Sequence, residues 1–344
     1  MRSVLVLARW LGPWASPSRA PQVATREDEL AGPAGGLRVR LYEPKRAARR
    51  TYLIAPGLHY AAADDPRLDR FCRVLCAAGH LVIAPFIPGY LALTPNARAI
   101  EDFIRVADAL PRWSPQPPTV FSISFGSLLA FALAAERPGL AERLVIFGGY
   151  ADFSETLAFA LSGQVASGRQ AARDPLNQPV VLLNLLDAIP HDRGERAALE
   201  AGWRRYVERV WGRTEMKLDG RFQAVAAELA VDVPASVREL FLIGIGALPG
   251  AWPLARAALP HVDLRALDPG PHLARVRGRV ELVHGADDDV IPFEHAHLLA
   301  QRLPNAEPRV HVTGLYGHTG ASFGKLLALP KELATMIRVL RLLA

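Results

Sequence analysis

Between Thr51 and Tyr150, short unbroken apolar runs alternate with longer stretches in which every third or fourth position is apolar. TYLIAPG (51–57) and LVIAPFIPGY (81–90) belong to the first kind. Proline and glycine end both, as expected of strands buried on two faces. DPRLDRFCRVLCAAGH (65–80) and ARAIEDFIRVADALPRW (97–113) belong to the second, and the latter places Ile100, Phe103, Ile104 and Ala107 on one helix face. TVFSIS (119–124) predicts another strand, a helix follows from about Phe125, and RLVIFGGY (143–150) closes the series. This alternation predicts an α/β fold: a mostly parallel, doubly wound sheet with helices on both faces.

The flanks read differently. LRVRLYEP (37–44) alternates with period two after the Gly/Pro-rich AGPAGG, which predicts a half-exposed strand ending at Pro44. From 151 to 277 the strand rhythm is lost, and helical patterns (LAFALSGQV, EAGWRRYVERVWG, FQAVAAELA) are separated by loop-forming segments. From 278 it returns with RVELVHG, the helical PFEHAHLLAQRLP, RVHVTG and a last helix, LPKELATMIRVLRLL. The expected organisation is therefore a leader or packing helix (1–36), a first core segment (37–150), an inserted helical cap (151–277) and a second core segment (278–344).

Composition adds mainly exclusions. Half of the 344 residues are apolar and no low-complexity tract occurs, so the chain can bury a core. The formal charge of +6 comes from arginines scattered along the chain, the lysines being Lys45, Lys217, Lys325 and Lys331. A nucleic-acid reader concentrates its basic residues on one element, so no nucleic-acid partner is expected. Cys72 and Cys76 sit four apart on one helix face, a spacing that suits packing rather than a disulfide or a metal site. His295 and His297 lie two apart on a predicted helix and face different ways, which makes them poor metal ligands. The N-terminal RSVLVLARWL is amphipathic, but Arg9 interrupts its apolar run and no cleavage motif follows. It reads as a helix packed on the domain or a leader, with a membrane-surface contact through residues 1–15 as the alternative. The expected location is the cytoplasm, with membrane association through that helix as the alternative.

In open α/β sheets ligands bind beyond the carboxyl ends of the strands. Three chemical groups stand there: Ser124 after TVFSI, Asp287 to Asp289 after ELVHG, and His318 after VHVTGLYG. Their chain order is Ser, Asp, His. A serine, a base and an acid are the components of nucleophilic acyl transfer.

That order, the strand-end placement and the local motifs resemble the α/β-hydrolase superfamily, in particular its capped serine esterases, lipases and thioesterases. The family's nucleophile elbow is usually G-x-S-x-G; here Ser122-Ile123-Ser124-Phe125-Gly126 stands in its place, with serine for the first glycine. Shifting the frame to Ser122 or Ser127 puts Val120, or Phe125 and Leu129, at positions the tight bend crowds, so Ser124 is the expected nucleophile. VHGADDDVIP resembles the acid loop and points to Asp288, with Asp287, Asp289 and, after the preceding strand, Asp152 as alternatives. GLYGHTG resembles the loop of the base, His318.

The resemblance further implies an oxyanion hole of two backbone N–H groups, from Leu58 and Phe125. Gly57 supplies the permissive backbone of that loop, and His59 and Tyr60 follow as candidates to line the substrate site. The implied activity is hydrolysis of a small to medium hydrophobic carboxylic ester through an acyl-enzyme, with no metal or organic cofactor. A thioester or amide substrate, or a non-catalytic binding protein on the same fold, are the alternatives. The cap is expected to roof the pocket, and LFLIGIGALPGAWPLA (240–255) is either a pocket lining or the cap's own core.

Overall fold

The chain enters through a helix, Arg2–Leu11 (α1), and two strands, Ala24–Leu30 (β1) and Leu37–Glu43 (β2). It continues through Thr51–Ala55 (β3), Pro66–Ala77 (α2), Leu81–Pro85 (β4), Pro88–Leu91 (α3), Ala97–Asp108 (α4), Pro118–Ile123 (β5), Gly126–Glu136 (α5) and Arg143–Phe147 (β6). Helices Phe153–Ser162 (α6), Gln178–Leu185 (α7), Arg196–Val210 (α8), Arg221–Ala230 (α9), Ala235–Gly244 (α10) and Ala251–Ala258 (α11) follow. Gly270–Leu273 (α12), Gly278–Gly285 (β7), Glu294–Gln301 (α13), Ala306–Thr313 (β8) and Leu329–Leu343 (α14) complete the chain. This computed structural model describes residues 2–12, 15–16, 18–32, 35–217, 220–314 and 329–344.

The strands form one sheet in the order β1-β2-β4-β3-β5-β6-β7-β8. β2 runs antiparallel to both β1 and β4, and every other pairing is parallel. Side chains alternate across it. Leu53, Ala55, Val120, Ile146 and Leu282 face one core shared with α4, α5 and α13. Tyr52, Ile54, Phe121, Val145 and Val283 face the other, shared with α1, α2 and α14. Two-sided burial of this kind is why these strands read as continuous apolar runs. α5 is buried nearly all round because α4 and α12 cover the side that the sheet does not.

Two elements escape the hydrophobic pattern. β1 (ATREDEL) is an edge strand of which only Leu30 is buried, so it carries no apolar alternation. α3 is a single turn at the exit of β4, started by Pro88 at its first position.

Contacts divide the chain into two units. The first comprises Met1–Asp152, Leu267–Asp288 and Phe293–Ala344, and holds the sheet. Residues 267–277 belong to it because Leu273 and Val276 are buried in the sheet's core and the Tyr150 hydroxyl donates to the Leu267 carbonyl at 2.7 Å. α1 is packed within this unit: Leu7 is buried, Ser3 Oγ donates to the Ala78 carbonyl at 2.9 Å, and Arg70 donates to the Trp10 carbonyl.

The second unit, Phe153–Ala266 with Asp289–Pro292, is helical. Its centre is Trp203, fully buried, with the indole N–H donating to the Phe241 carbonyl at 3.2 Å. Phe241 and Ile245, from the apolar 240–255 stretch, are buried in that unit, whereas Leu248 is exposed. Among the described residues no helix is long and apolar enough to cross a membrane.

Candidate active site

β5 ends at Ile123 and α5 begins at Gly126, leaving two residues for a reversal from strand to helix. Ser124 makes the bend with φ of +52°, in the left-handed region that side chains other than glycine rarely adopt. Its N–H still continues the sheet, donating to the Phe147 carbonyl at 2.8 Å, while its carbonyl accepts from Ser127 N–H at 3.0 Å as the first turn of α5. The trans peptide then aims the Phe125 N–H the opposite way, outward from the helix start, where the helix dipole favours negative charge.

Close neighbours enforce the bend. A Cβ on Gly126 would lie 2.1 Å from the Ala55 carbonyl oxygen, so only glycine fits there. One on Gly57 would sit 3.2 Å from the Ile123 carbonyl oxygen and 3.7 Å from Ser124 Cβ, which brings the loop after β3 alongside Ser124. Leu58 and Phe125 are both half-buried and pack on the same core. The structure thus brings Ser124, Phe125 and the Gly57–Leu58 loop together.

Tyr90 and Tyr150 hold the elbow from below. The Tyr90 hydroxyl donates to the Phe125 carbonyl at 3.1 Å, and the Phe125 ring lies 5.1 Å from that of Tyr150. Burial pushes both phenols well above their ordinary range, so they act as neutral donors. Ser127, buried, accepts from Tyr150 N–H at 3.4 Å. Ser122 is fully buried, and its hydroxyl has no hydrogen-bond partner among the described residues. The sequence pointed to neither tyrosine, because Tyr90 lies in a segment read as a strand exit and Tyr150 in one read as a strand.

His59 uses its ring within its own loop. Nδ1 accepts from Ala61 N–H at 3.1 Å and Nε2 lies 3.3 Å from the Asp65 carboxylate, which caps α2 through Arg67 N–H. Burial pushes its pKa down to about 4, against the pull of Asp65. The ring therefore stays neutral and staples the loop that carries Leu58. Tyr60 stacks on it with centroids 4.5 Å apart.

At the end of β7, the three aspartates have separate environments. Asp287 is exposed. Asp288 is buried, and its Oδ2 lies 3.4 Å from Nε2 of His284. Asp289 belongs to the helical unit, where its carboxylate meets Lys217 Nζ at 2.6 Å. Asp152, after β6, lies 3.5 Å from the Arg302 guanidinium. Gly148 N–H donates to the Val283 carbonyl at 2.9 Å, which steps the sheet's carboxyl edge from β6 to β7 and sets Ser124 and Asp288 on the same edge. His318 lies outside the described residues. Among the described residues no group of three or more His, Cys, Asp or Glu side chains could hold a metal ion.

This sheet order, the helices on both faces and the strained serine between β5 and α5 are those of the α/β-hydrolase fold. No protein-family model matches the chain. The chain is similar in structure to the acylaminoacyl peptidase of Pyrococcus horikoshii, with a TM-score of 0.51 and 10% identity over 94% of this chain and 41% of the peptidase. A serine hydrolase from the polyaromatic-hydrocarbon-degrading bacterium Cycloclasticus zankles superposes with a TM-score of 0.48 and 13% identity, over 93% of this chain and 97% of the other. In sequence, the chain is 28% identical over 227 residues to the 2-hydroxymuconate semialdehyde hydrolase of Pseudomonas putida, covering 65% of this chain and 62% of that protein. The chain thus spans less than two thirds of the length of that hydrolase and of the Pyrococcus peptidase.

Proposed function

We propose that this chain is a serine hydrolase that cleaves a carboxylic ester of a small to medium hydrophobic acid. The observation that carries the reading is the left-handed φ of +52° at Ser124, a strain held in place by Gly126 and Tyr90 at the bend of the elbow.

In the mechanism, Ser124 Oγ attacks the ester carbonyl carbon while His318, oriented by Asp288, takes the hydroxyl proton. The oxygen that gains charge is met by the N–H groups of Leu58 and Phe125 at the start of α5. Collapse expels the alcohol, which receives the proton from His318. Water, deprotonated by the same imidazole, then releases the acid and restores Ser124.

Labelling by a fluorophosphonate probe tests the nucleophile: wild type labels and Ser124→Ala does not. Folded wild type that neither labels nor hydrolyses p-nitrophenyl acyl esters leaves the non-catalytic binding reading. The similarity to the Pseudomonas enzyme supports a second substrate, so 2-hydroxymuconate semialdehyde belongs in the same panel. An acyl thioester and an acylaminoacyl anilide complete it, since one triad serves all these carbonyl substrates. The highest kcat/KM in the panel decides among them.

A further inference from the structure

Buried carboxylates need donors, and Asp288 has one that the triad does not use. His284, the penultimate residue of β7, is 1% exposed, and its Nε2 lies 3.4 Å from Oδ2 of Asp288, whose side chain is 2% exposed. They lie four positions apart across a turn fixed by Asp288 N–H on the Gly285 carbonyl at 3.3 Å and Ala286 N–H on the Thr313 carbonyl at 2.8 Å. We infer that His284 is a positioning residue: its Nε2–H holds one oxygen of Asp288 and fixes the plane of the carboxylate that orients the base. The inference rests on the serine-hydrolase reading.

The surroundings suit that role. His295, from α13, is buried with its Nδ1 accepting from Ala151 N–H at 3.2 Å, which leaves the proton of the neutral ring on Nε2. Burial, and then the neighbouring His284, push its pKa down to about 4, so this ring is neutral. The other charges that act on His295 are Asp152 and Glu294, which favour its cation, and Arg302, which opposes it. Arg302 is itself engaged with Asp152 and the Ala151 carbonyl. An unoriented carboxylate would lose direction towards the base without losing its charge, so the effect belongs to reactivity more than to stability.

Two substitutions separate the roles. His284→Phe keeps a ring and removes the donor; His284→Gln presents an N–H at about the reach of Nε2. The expected result is that the Phe variant labels with fluorophosphonate about 10- to 100-fold more slowly than wild type, the scale of a lost orienting partner, while Gln recovers most of the rate. In an Asp288→Asn background the Phe substitution should add little. If the Phe variant does not fold, His284→Asn, whose amide is too short to reach Oδ2, is expected to label slowly in its place. A Phe variant that labels at the wild-type rate overturns the positioning role. So do Gln and Phe variants that lose rate and Tm equally, since that is packing. Folded wild type that does not label at all overturns the hydrolase reading itself, and the role of His284 with it.

Discussion

Gly126 lies against the carbonyl of Ala55 so closely that a methyl group there would come within 2.1 Å of its oxygen. The contact is backbone to backbone, so no side chain can turn aside to relieve it. Gly126→Ala should cost about 1–3 kcal/mol, as overpacked sites do, and should displace the elbow. A shift of about 1 Å at a nucleophile costs on the order of 100-fold in rate, so fluorophosphonate labelling should fall far more than the Tm suggests. Urea unfolding and labelling kinetics on the same preparation check both.

Tyr90 supports the other side of the bend. Removing its hydroxyl by Tyr90→Phe leaves the Phe125 carbonyl without that donor, at an expected cost of about 1–2 kcal/mol. Labelling should slow only modestly, because the ring that packs on Phe125 is retained. Thermal melts of the two proteins at one pH give the comparison.

Ser122 and Ser124 should separate cleanly. Ser122 buries a hydroxyl with no partner among the described residues, and a buried unpaired polar group costs about 1–3 kcal/mol. Ser122→Ala is therefore expected to melt at or above the wild-type temperature and still to label. Ser124→Ala should fold without labelling. A Ser122→Ala variant that folds but cannot be labelled would move the nucleophile.

Acid should weaken the fold through its buried histidines. His59 and His295 are held neutral down to about pH 4, whereas the ordinary histidine value is 6.5. Between those values the unfolded chain binds more protons than the folded one. Stability should therefore be flat above about pH 6.5 and decline from there towards pH 4, by up to about 1.4 kcal/mol per pH unit for each histidine. Denaturant titrations across that range measure the slope, and His59→Gln should remove its share.

In the helical unit, Lys217 joins two carboxylates: Asp174 at 2.9 Å and Asp289 at 2.6 Å. Burial alone would lower the lysine's pKa, but the two carboxylates outweigh it and raise it. Lys217→Met would leave those carboxylates facing each other without the ammonium between them. The expected cost is about 1–3 kcal/mol, below that of a fully buried pair because the lysine is partly exposed. Adding Asp289→Asn should recover part of the loss in calorimetry.

Much of the fold is legible in the sequence. Runs such as TYLIA and LVIAP are apolar throughout because both faces of their strands are covered, and that property identifies a parallel sheet from residue type alone. What hid from the pattern was whatever owes its place to an edge or to a single turn. β1 is polar because only one residue in it is buried, and α3 is too short to show a period. Asp288 is singled out by the resemblance of VHGADDDVIP to the family's acid loop, and its burial between two differently placed aspartates emerges only from folding. His284 could have drawn attention as the polar residue ending an apolar strand, but nothing in the string says that its ring meets a carboxylate.

Residue type and order alone determined the alternation of strand and helix, the break at the helical insertion, and the small residues that frame Ser124, since each depends on local sterics or periodicity. Tertiary structure decided the rest. The approach of Ala55 to Gly126, which enforces the left-handed backbone at Ser124, and the support from Tyr90 and Tyr150 arise where distant segments meet, and the turn that sets His284 beside Asp288 is tied to β8 by Ala286 N–H on the Thr313 carbonyl. No local pattern can encode a distance between residues that only the assembled sheet brings together.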